Sequence, residues 1–301
     1  MITGISYGWL KTRMDSATRK NEGTEMEEKE ICGETIQSST RIQSLNGLQL
    51  SQEQARALEI LQSGDNVFLT GGAGCGKSFV IRELMRNLDT ELYPLLASTG
   101  AAAVLVGGRT FHSFFGLGIM EGGFEAAREK ALGDRRLRKR LKNIEGIVID
   151  EVSMIPGAAF SLAEELARTF RESSLPWGGL RVICVGDFMQ LPPVTRSGGK
   201  RDWAFVSRAW ETSDFQKVLL RINQRVDHTG DQQEFVEILN ELREGARSRR
   251  LADYLNSRVR GHDLDEEGVR LFPRRLQADE FNQFRLSQIA HELVEIPSIY
   301  M

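Results

Sequence analysis

A glycine-rich segment with one lysine and one serine carries the clearest chemical signal in this sequence. It reads Gly71-Gly72-Ala73-Gly74-Cys75-Gly76-Lys77-Ser78 and fits the pattern G-x-x-x-x-G-K-[S/T]. In such a loop, backbone N–H groups surround phosphates, Lys77 reaches the β- and γ-phosphates, and Ser78 holds Mg²⁺. The segment from Gly72 to Ser78 is therefore predicted to bind ATP. A glycine-rich turn without a ligand is the alternative, and Cys75 could also be a reactive thiol beside a helix.

Two adjacent acids, Asp150 and Glu151, follow the apolar run 147–149. In enzymes with a phosphate-binding loop, an acid at such a strand end holds Mg²⁺, and its neighbour can deprotonate the attacking water. We predict that Asp150 and Ser78 bind Mg²⁺ and that Lys77, Asp150 and Glu151 take part in catalysis. Two exposed acids at the end of a strand are the plainer alternative.

Gln54 has two interpretations. Residues 51–54 read Ser-Gln-Glu-Gln, which fits a capping box in which the Gln54 side chain reaches back to the start of a helix. The same amide offers the donor and acceptor pair that recognises adenine.

A third polar segment, GDFMQLPPV at residues 186–194, follows the apolar run 182–185. That run is typical of a buried parallel strand. An acid, a glutamine and two prolines after such a strand point polar groups into the crevice where α/β sheets bind ligands. The segment sets this chain apart from a generic nucleotide-binding protein.

The elements that must position these residues alternate between strands and helices. Strands are predicted at 66–70, 93–98, 146–150, 181–185 and 215–220, and helices at 51–62 and 78–87. This alternation predicts an α/β fold with a mostly parallel sheet covered on both faces. Residues 1–47 are polar and predict a flexible extension. A further unit is predicted to begin near residues 269–272 and to include a helix at about 278–290.

Composition restricts the class of protein without choosing a function. The chain has 301 residues, of which 41% are hydrophobic and 27% charged, as in globular proteins. A net charge of -3 excludes a wholly basic coat but leaves room for a local positive groove. Cys32, Cys75 and Cys184 follow no metal-ligand spacing and suit a reducing compartment. No apolar run approaches the roughly 18 residues of a membrane span, so we expect no membrane partner.

Several segments occur in the order and approximate spacing of the petite integration frequency (Pif) helicases of superfamily 1. They are LSQEQ at 50–54, GGAGCGKS at 71–78, ASTGAAA at 97–103, TFHSF at 110–114, VIDEVSM at 148–154 and GDFMQLPPV at 186–194. The chain resembles the amino-terminal motor half of that family from about residue 48 to 250. The combination is far more specific than any one segment.

This resemblance implies an ATP-dependent DNA helicase that moves 5′ to 3′ on single-stranded DNA and unwinds duplexes in DNA repair, recombination or telomere maintenance. It implies a RecA-like P-loop ATPase domain at 48–262 and the truncated beginning of a second RecA-like domain at 263–301. Residues 271–275 and 278–282 resemble the opening strand and helix of that second domain. Single-stranded DNA and duplex junctions are the implied partners, with ATP and Mg²⁺ as cofactors. We expect a monomer inside the cell, in the nucleus or mitochondrion if the source is eukaryotic.

The resemblance also assigns roles by position. Gln190 would sense the γ-phosphate, Arg225 would stabilise charge that develops during hydrolysis, and Gln54 would recognise adenine. Val226 replaces the glutamine that often follows this arginine, and an arginine in a solvated loop is the alternative for Arg225.

Four polar residues lie in segments similar to the family's DNA-facing motifs, and their side chains can contact phosphates: Thr99, Thr110, His112 and Ser113. Phe111, Phe114 and Phe115 could stack on bases or belong to the core. His112 could equally be a structural hydrogen-bonding residue.

Residues 128–142 hold eight basic residues against two acidic ones. This run could be a stripe that binds the DNA backbone, or a solvated helix face with Leu132, Leu137 and Leu141 packed inward. For the whole chain, two alternatives to a helicase stay open. One is a truncated paralogue that binds nucleotide and DNA without unwinding, and the other, weakened by residues 186–194, is a small-molecule kinase.

Overall fold

The computed structural model describes residues 50–118, 120, 122–194, 201–225, 230–259 and 268–289. The chain forms two compact units, one up to Leu251 and one from Ala252 onward. The predicted extension at 1–47 and the predicted boundary between residues 262 and 263 lie outside the described residues. The domain limits therefore stay predictions.

The first unit is built on a parallel sheet whose six described strands run in the order β3-β2-β4-β5-β1-β6. The strands are β1 (Val67–Gly71), β2 (Leu95–Ala97), β3 (Arg109–Thr110), β4 (Gly146–Asp150), β5 (Arg181–Val185) and β6 (Gln216–Leu220). Each described pair is parallel, so all carboxyl ends lie at one edge. This confirms the predicted α/β class and mostly parallel sheet.

Helices cover both faces of this sheet. They are α1 (Gln52–Leu61), α2 (Lys77–Met85), α3 (Gly100–Leu105), α4 (Phe111–Phe114), α5 (Gly123–Leu132), α6 (Arg135–Asn143), α7 (Gly157–Arg171), α8 (Arg208–Thr212) and α9 (Asp231–Arg243). α1 begins after Ser51, whose hydroxyl accepts the Gln54 N–H, one of the amides that a helix start leaves without a partner. Within the described ranges, no helix has the length and apolar character needed to cross a membrane.

The two faces of the sheet bury different cores. On one face, aliphatic side chains of α1 and α2, such as Leu61 and Leu84, pack on β1 and β5. On the other, aromatic residues dominate, with Phe160 and Trp177 fully buried and 5.0 Å apart between ring centroids. The Trp177 indole N–H donates to Ser213 Oγ at 2.8 Å, which satisfies its one polar atom inside the core. The sheet is thus held rigidly from both sides.

In the second unit, the helix α11 (Arg275–Ser287) begins three residues before its predicted start at 278. The Phe272 and Phe281 rings lie 5.4 Å apart. The opening strand that the resemblance implied at 271–275 is wrong: residues 271–274 adopt no strand, Arg275 begins α11, and Leu271 is 94% exposed. A strand needs a neighbour to pair with, and the described residues supply none here. Another helix, α10 (Arg249–Ser257), crosses the boundary between the units.

Candidate functional site

The predicted phosphate-binding loop connects β1 to α2 at the carboxyl edge of the sheet. Its turn needs glycine, because Gly74 and Gly76 adopt φ angles of +82° and +83°. A Cβ on Gly74 would lie 2.7 Å from Asn223 Oδ1, and one on Gly76 would collide with the Gln54 amide. The loop then enters the amino terminus of α2, where the helix dipole favours an anion.

Lys77 and Ser78 occupy the first turn of α2. The Lys77 ammonium donates to the carbonyls of Gly71 at 2.8 Å and Gly72 at 3.1 Å, so its charge lies over the loop. Ser78 is exposed next to it. The ammonium and the hydroxyl therefore occupy the places that a phosphate-binding role requires.

Asp150 and Glu151 stand at the end of β4, two strands away from β1. Burial raises the pKa of Asp150, while the Glu151 N–H and the charge of Lys77 act in the opposite direction. Burial also raises the pKa of Glu151, and the neighbouring Asp150 charge adds to this. The charge of Lys77 lowers the pKa of both carboxyls, so the structure brings together three of the residues predicted to be catalytic.

The donor set suits Mg²⁺ bound together with phosphates. Asp150 Oδ1 accepts the Glu151 N–H at 2.9 Å, so Oδ2 is the oxygen that would bind a cation. The described residues contain no group of three or more His, Cys, Asp or Glu side chains that could hold a metal ion. Mg²⁺ commonly binds one or two protein ligands and completes its shell with substrate phosphates and water, and Ser78 with Asp150 fits that pattern.

Gln54 forms the predicted capping box and also contacts the loop. Its Oε1 accepts the Ser51 N–H at 3.0 Å, and its Nε2 donates to the Cys75 carbonyl at 3.3 Å. The capping role is confirmed, and adenine recognition stays a prediction. Cys75 is 4% exposed and burial raises the pKa of its thiol, so it serves the loop through its backbone and is a poor nucleophile.

The segment that carries Arg225 lies directly against the loop. Gln224 N–H donates to the Gly74 carbonyl at 2.8 Å, and the Asn223 amide donates to the Ala73 carbonyl at 3.1 Å. Asn223 Oδ1 in turn accepts the Arg225 N–H at 2.9 Å. The backbone of Arg225 is thus fixed beside the predicted phosphate site while its side chain is exposed. Val226 lies outside the described residues.

Glu53 and Asn223 are positioning residues that sequence reasoning missed. The Glu53 carboxylate accepts the N–H groups of Arg221 at 2.9 Å and Ile222 at 3.1 Å, and so ties α1 to the same segment. The capping-box pattern assigns a role to Gln54 and none to the adjacent Glu53. Nothing in the local sequence marks a partner more than 160 positions away.

Arg243 is a third residue that sequence reasoning missed. Asp187 of the GDFMQLPPV segment is 1% exposed, and Arg243 at the end of α9 donates to both of its oxygens at 2.8 and 3.2 Å. Gln190 Nε2 donates to the same carboxylate at 3.2 Å. These groups and Asn223 line a cleft of about 340 Å³. A buried acid requires a cation, but only the fold identifies which arginine supplies it.

The predicted DNA contacts lie at the other end of the same sheet edge. Thr99 lies just beyond the end of β2, and Thr110 is the last residue of the neighbouring strand β3. Their hydroxyls accept the N–H groups of Ala102 and Ser113, each at 3.2 Å. Three strand spacings, each about 4.8 Å, separate β2 from β1. The sheet therefore holds Thr99 on the order of 14 Å from the phosphate loop, and Thr110, one strand further away, on the order of 19 Å from it.

Of the two interpretations of the phenylalanines, the core position is confirmed and stacking on bases is not. Phe111, Phe114 and Phe115 are 0%, 2% and 0% exposed and belong to the aromatic core, because the short helix α4 turns its apolar side toward the sheet. His112 is half-buried, and burial lowers its pKa. Ser113 is exposed. Of this segment, only the polar face is open to a ligand.

In the basic run 128–142, the inward packing is confirmed for Leu137 and Leu141, which are fully buried, while Leu132 is half-buried. Arg128 forms an ion pair with Glu165 at 2.6 Å. DNA binding by this basic run stays a prediction.

Comparison with known proteins adds independent findings. The model of the PIF1-like helicase family matches residues 49–252. ATP-dependent DNA helicase Pif1 of Bdellovibrio bacteriovorus is 56% identical over 253 residues, which cover 84% of this chain and 56% of that protein. The chain thus spans little more than half the length of this relative, and about a third of the length of the similar helicases of Emericella nidulans and Danio rerio.

Solved structures agree with these matches. The crystal structure of Pif1 helicase from Candida albicans superposes with a TM-score of 0.71 at 32% identity, covering 81% of this chain and 56% of that one. Bacteroides Pif1 bound to ssDNA superposes with a TM-score of 0.61 at 25% identity, covering 80% and 57%. The RecA-like sheet described above is therefore the fold that these helicases share.

Proposed function

The chain belongs to the PIF1-like helicase family, and from this premise we propose that it couples ATP hydrolysis to 5′-to-3′ movement on single-stranded DNA and to unwinding of duplexes. The observation that carries the proposal is the convergence of charged and polar groups at one sheet edge. Lys77, the acids at 150 and 151, and the Arg225 segment all lie around the phosphate loop.

Nucleotide binding would rest on residues 72–78, with the triphosphate on the amino terminus of α2 and Lys77 leaving the loop carbonyls for the β- and γ-phosphates. Gln54 would contact adenine from behind the loop. Mg²⁺ would be held by Ser78 and Asp150 and, when bound, would neutralise phosphate charge.

Hydrolysis would then require a base, a γ-phosphate sensor and a cation near the transferred group. Glu151 is suited to accept a proton from water, because burial raises its pKa above that of an ordinary glutamate and makes it a stronger base. Gln190 would sense the γ-phosphate, and Arg225 would stabilise the charge that develops. Asn223 and Glu53 would position Arg225, and Arg243 would position Gln190 through Asp187.

DNA would lie across the opposite end of the edge, against Thr99, Thr110, His112 and Ser113. A structure of Bacteroides Pif1 bound to ssDNA supports this partner. We further propose duplex junctions as the working substrate, action as a monomer, and a place in DNA repair, recombination or telomere maintenance in the nucleus or mitochondrion of a eukaryotic source.

The deciding experiment measures ATP hydrolysis by the purified chain with and without ssDNA, and strand separation on duplexes with either a 5′ or a 3′ tail. We expect stimulation by ssDNA and preference for the 5′ tail. Lys77→Ala should reduce hydrolysis about 10²- to 10³-fold. Arg82→Ala, an exposed change on the same helix, is the matched control.

Two outcomes would contradict the proposal. Failure of Mg-ATP to bind the wild-type chain more tightly than Lys77→Ala would remove its premise. Tight nucleotide and DNA binding without stimulated hydrolysis would instead favour a binding protein that does not unwind DNA.

A further inference from the structure

The helix α6 has a charge pattern that the proposed ATP and DNA sites do not use. Its sequence RRLRKRLKN contains six basic residues and no acidic one. Leu137 and Leu141 face the core, so a period of 3.6 residues puts Arg135, Lys139 and Lys142 on the opposite, exposed side. These three side chains form a stripe about 10 Å long, at 1.5 Å per residue. We call this stripe the basic face of α6.

Little of this charge is neutralised within the described protein. Lys142 pairs with Glu172 at 3.0 Å, but their side chains are 46% and 73% exposed, and such surface pairs are weak. Asp134 caps α6 and accepts the N–H groups of Arg136 and Leu137. The basic face therefore presents a concentrated positive field to solvent.

Further cations join the basic face to the predicted DNA contacts. The Arg140 guanidinium donates to the Phe114 carbonyl, next to Ser113. Burial lowers the pKa of Arg140, and the like charge of Arg109 on β3 lowers it further, so these two cations are close neighbours. Asp134 offsets part of the repulsion between these two cations, and a bound polyanion would stabilise them further.

The chemistry of the surface favours a duplex over a single strand. Proteins that bind single strands combine cations with exposed aromatic rings on which bases stack. Here the nearby rings are unavailable: Phe114 and Phe170 are buried, and Arg140 and Arg138 lie over them at 5.0 and 5.3 Å. A surface that offers charge without stacking fits the outward phosphates of double-stranded DNA.

We propose that the basic face of α6, together with Arg109, binds the phosphate backbone of duplex DNA. This surface lies outside the proposed single-strand contacts. Its role rests on the proposed function, because it would hold the duplex next to the single strand along which the helicase moves. Each phosphate contact contributes about 0.9 to the slope of log affinity against log salt.

The test is a charge-neutralised triple variant, Arg135→Gln with Lys139→Gln and Lys142→Gln. Fluorescence anisotropy would measure its affinity for a blunt duplex and for ssDNA between about 50 and 200 mM salt. We expect the duplex affinity to fall about 10- to 100-fold at low salt and the slope to fall by about 2 to 3. Affinity for ssDNA and ssDNA-stimulated hydrolysis should stay within about twofold of wild type.

A matched control removes the same charge elsewhere, through Arg82→Gln with Arg208→Gln and Arg247→Gln, all exposed positions away from α6. Equal loss of duplex binding in both triple variants, or no loss in the α6 variant, would overturn the inference. So would an equal loss for ssDNA and duplex. If wild type lacks ssDNA-stimulated hydrolysis but still binds duplex through α6, the proposed function fails while this surface stands.

Discussion

The phosphate loop at 71–78 and the segment 109–115 both contain the carboxyl end of a parallel strand at the same edge of the sheet, yet their residues are used in opposite ways. In the loop, Lys77 and the backbone act together, with the Arg225 segment bonded to the Ala73 and Gly74 carbonyls. In the second segment, the Thr110 hydroxyl caps a helix and the Phe111 ring enters the core.

The two segments differ in whether backbone atoms or side-chain atoms perform the function. A glycine loop binds anions through its backbone, so its chemistry follows from local conformation and is visible in the sequence. The side chains at 109–115 serve the helix start, the core or solvent depending on which face the short helix turns inward. We therefore expect changes in the loop region to affect mainly catalysis and changes in the α4 region to affect mainly stability.

The largest effect is expected in the loop region. Glu151→Gln should lower the rate of ATP hydrolysis about 10²- to 10⁴-fold with little change in nucleotide affinity, because only the proton acceptor is lost. Burial and Asp150 raise the pKa of Glu151, so wild-type activity should fall as pH decreases through that raised pKa, above the range of an exposed glutamate. Rate measurements across pH check both points, and a variant with near-normal turnover would assign the base elsewhere.

Phe111→Ala should cost about 3–5 kcal/mol of unfolding free energy, since it removes a fully buried ring. Chemical denaturation measures the loss. Ser113→Ala, two positions away on the exposed side, should change stability by no more than about 0.5 kcal/mol. If the two changes had equal effects on stability, the contrast between the buried and open faces of α4 would collapse.

Arg243→Ala should destabilise the first unit by about 2–3 kcal/mol, because it leaves the Asp187 carboxylate buried without its cation. The arginine side chain is 29% exposed, which keeps the loss below that of a fully buried pair. Arg243→Lys retains the charge but not the two-point contact, so it should lose less. Denaturation curves of both variants measure the loss of unfolding free energy. An alanine variant as stable as wild type would show that the Arg243–Asp187 ion pair does not stabilise the position of α9.

The smallest effect is expected for the helix cap. Thr110→Ala should cost about 1 kcal/mol through loss of the hydrogen bond to the Ser113 N–H, and Thr110→Ser should restore most of it. Thermal unfolding of the Thr110→Ala and Thr110→Ser variants measures the two changes in stability. If the alanine variant instead lost DNA affinity at unchanged stability, Thr110 would be a ligand contact. The segment 109–115 would then bind ligand, as the phosphate loop is proposed to do.

Much of the fold could be predicted because its central strands are buried on both faces. The runs at 147–149 and 182–185 are continuously apolar, and the strands predicted at 146–150 and 181–185 match β4 and β5 at each end. β3 was missed because it has only two residues, Arg109 and Thr110, and forms a strand only by pairing with Leu96 and Ala97. Length and composition give no signal for such a strand.

The sequence by itself determined the phosphate loop, the acids that follow β4, the parallel sheet and the family resemblance, since each depends on residue types at short, regular spacing. Tertiary structure alone decided that Glu53 holds residues 221 and 222, that Arg243 neutralises Asp187 from 56 positions away, and that three phenylalanines are core. Hydrogen bonds and ion pairs between distant residues exist only where packing brings the groups within about 3 Å, and the order of residues along a chain does not contain that distance.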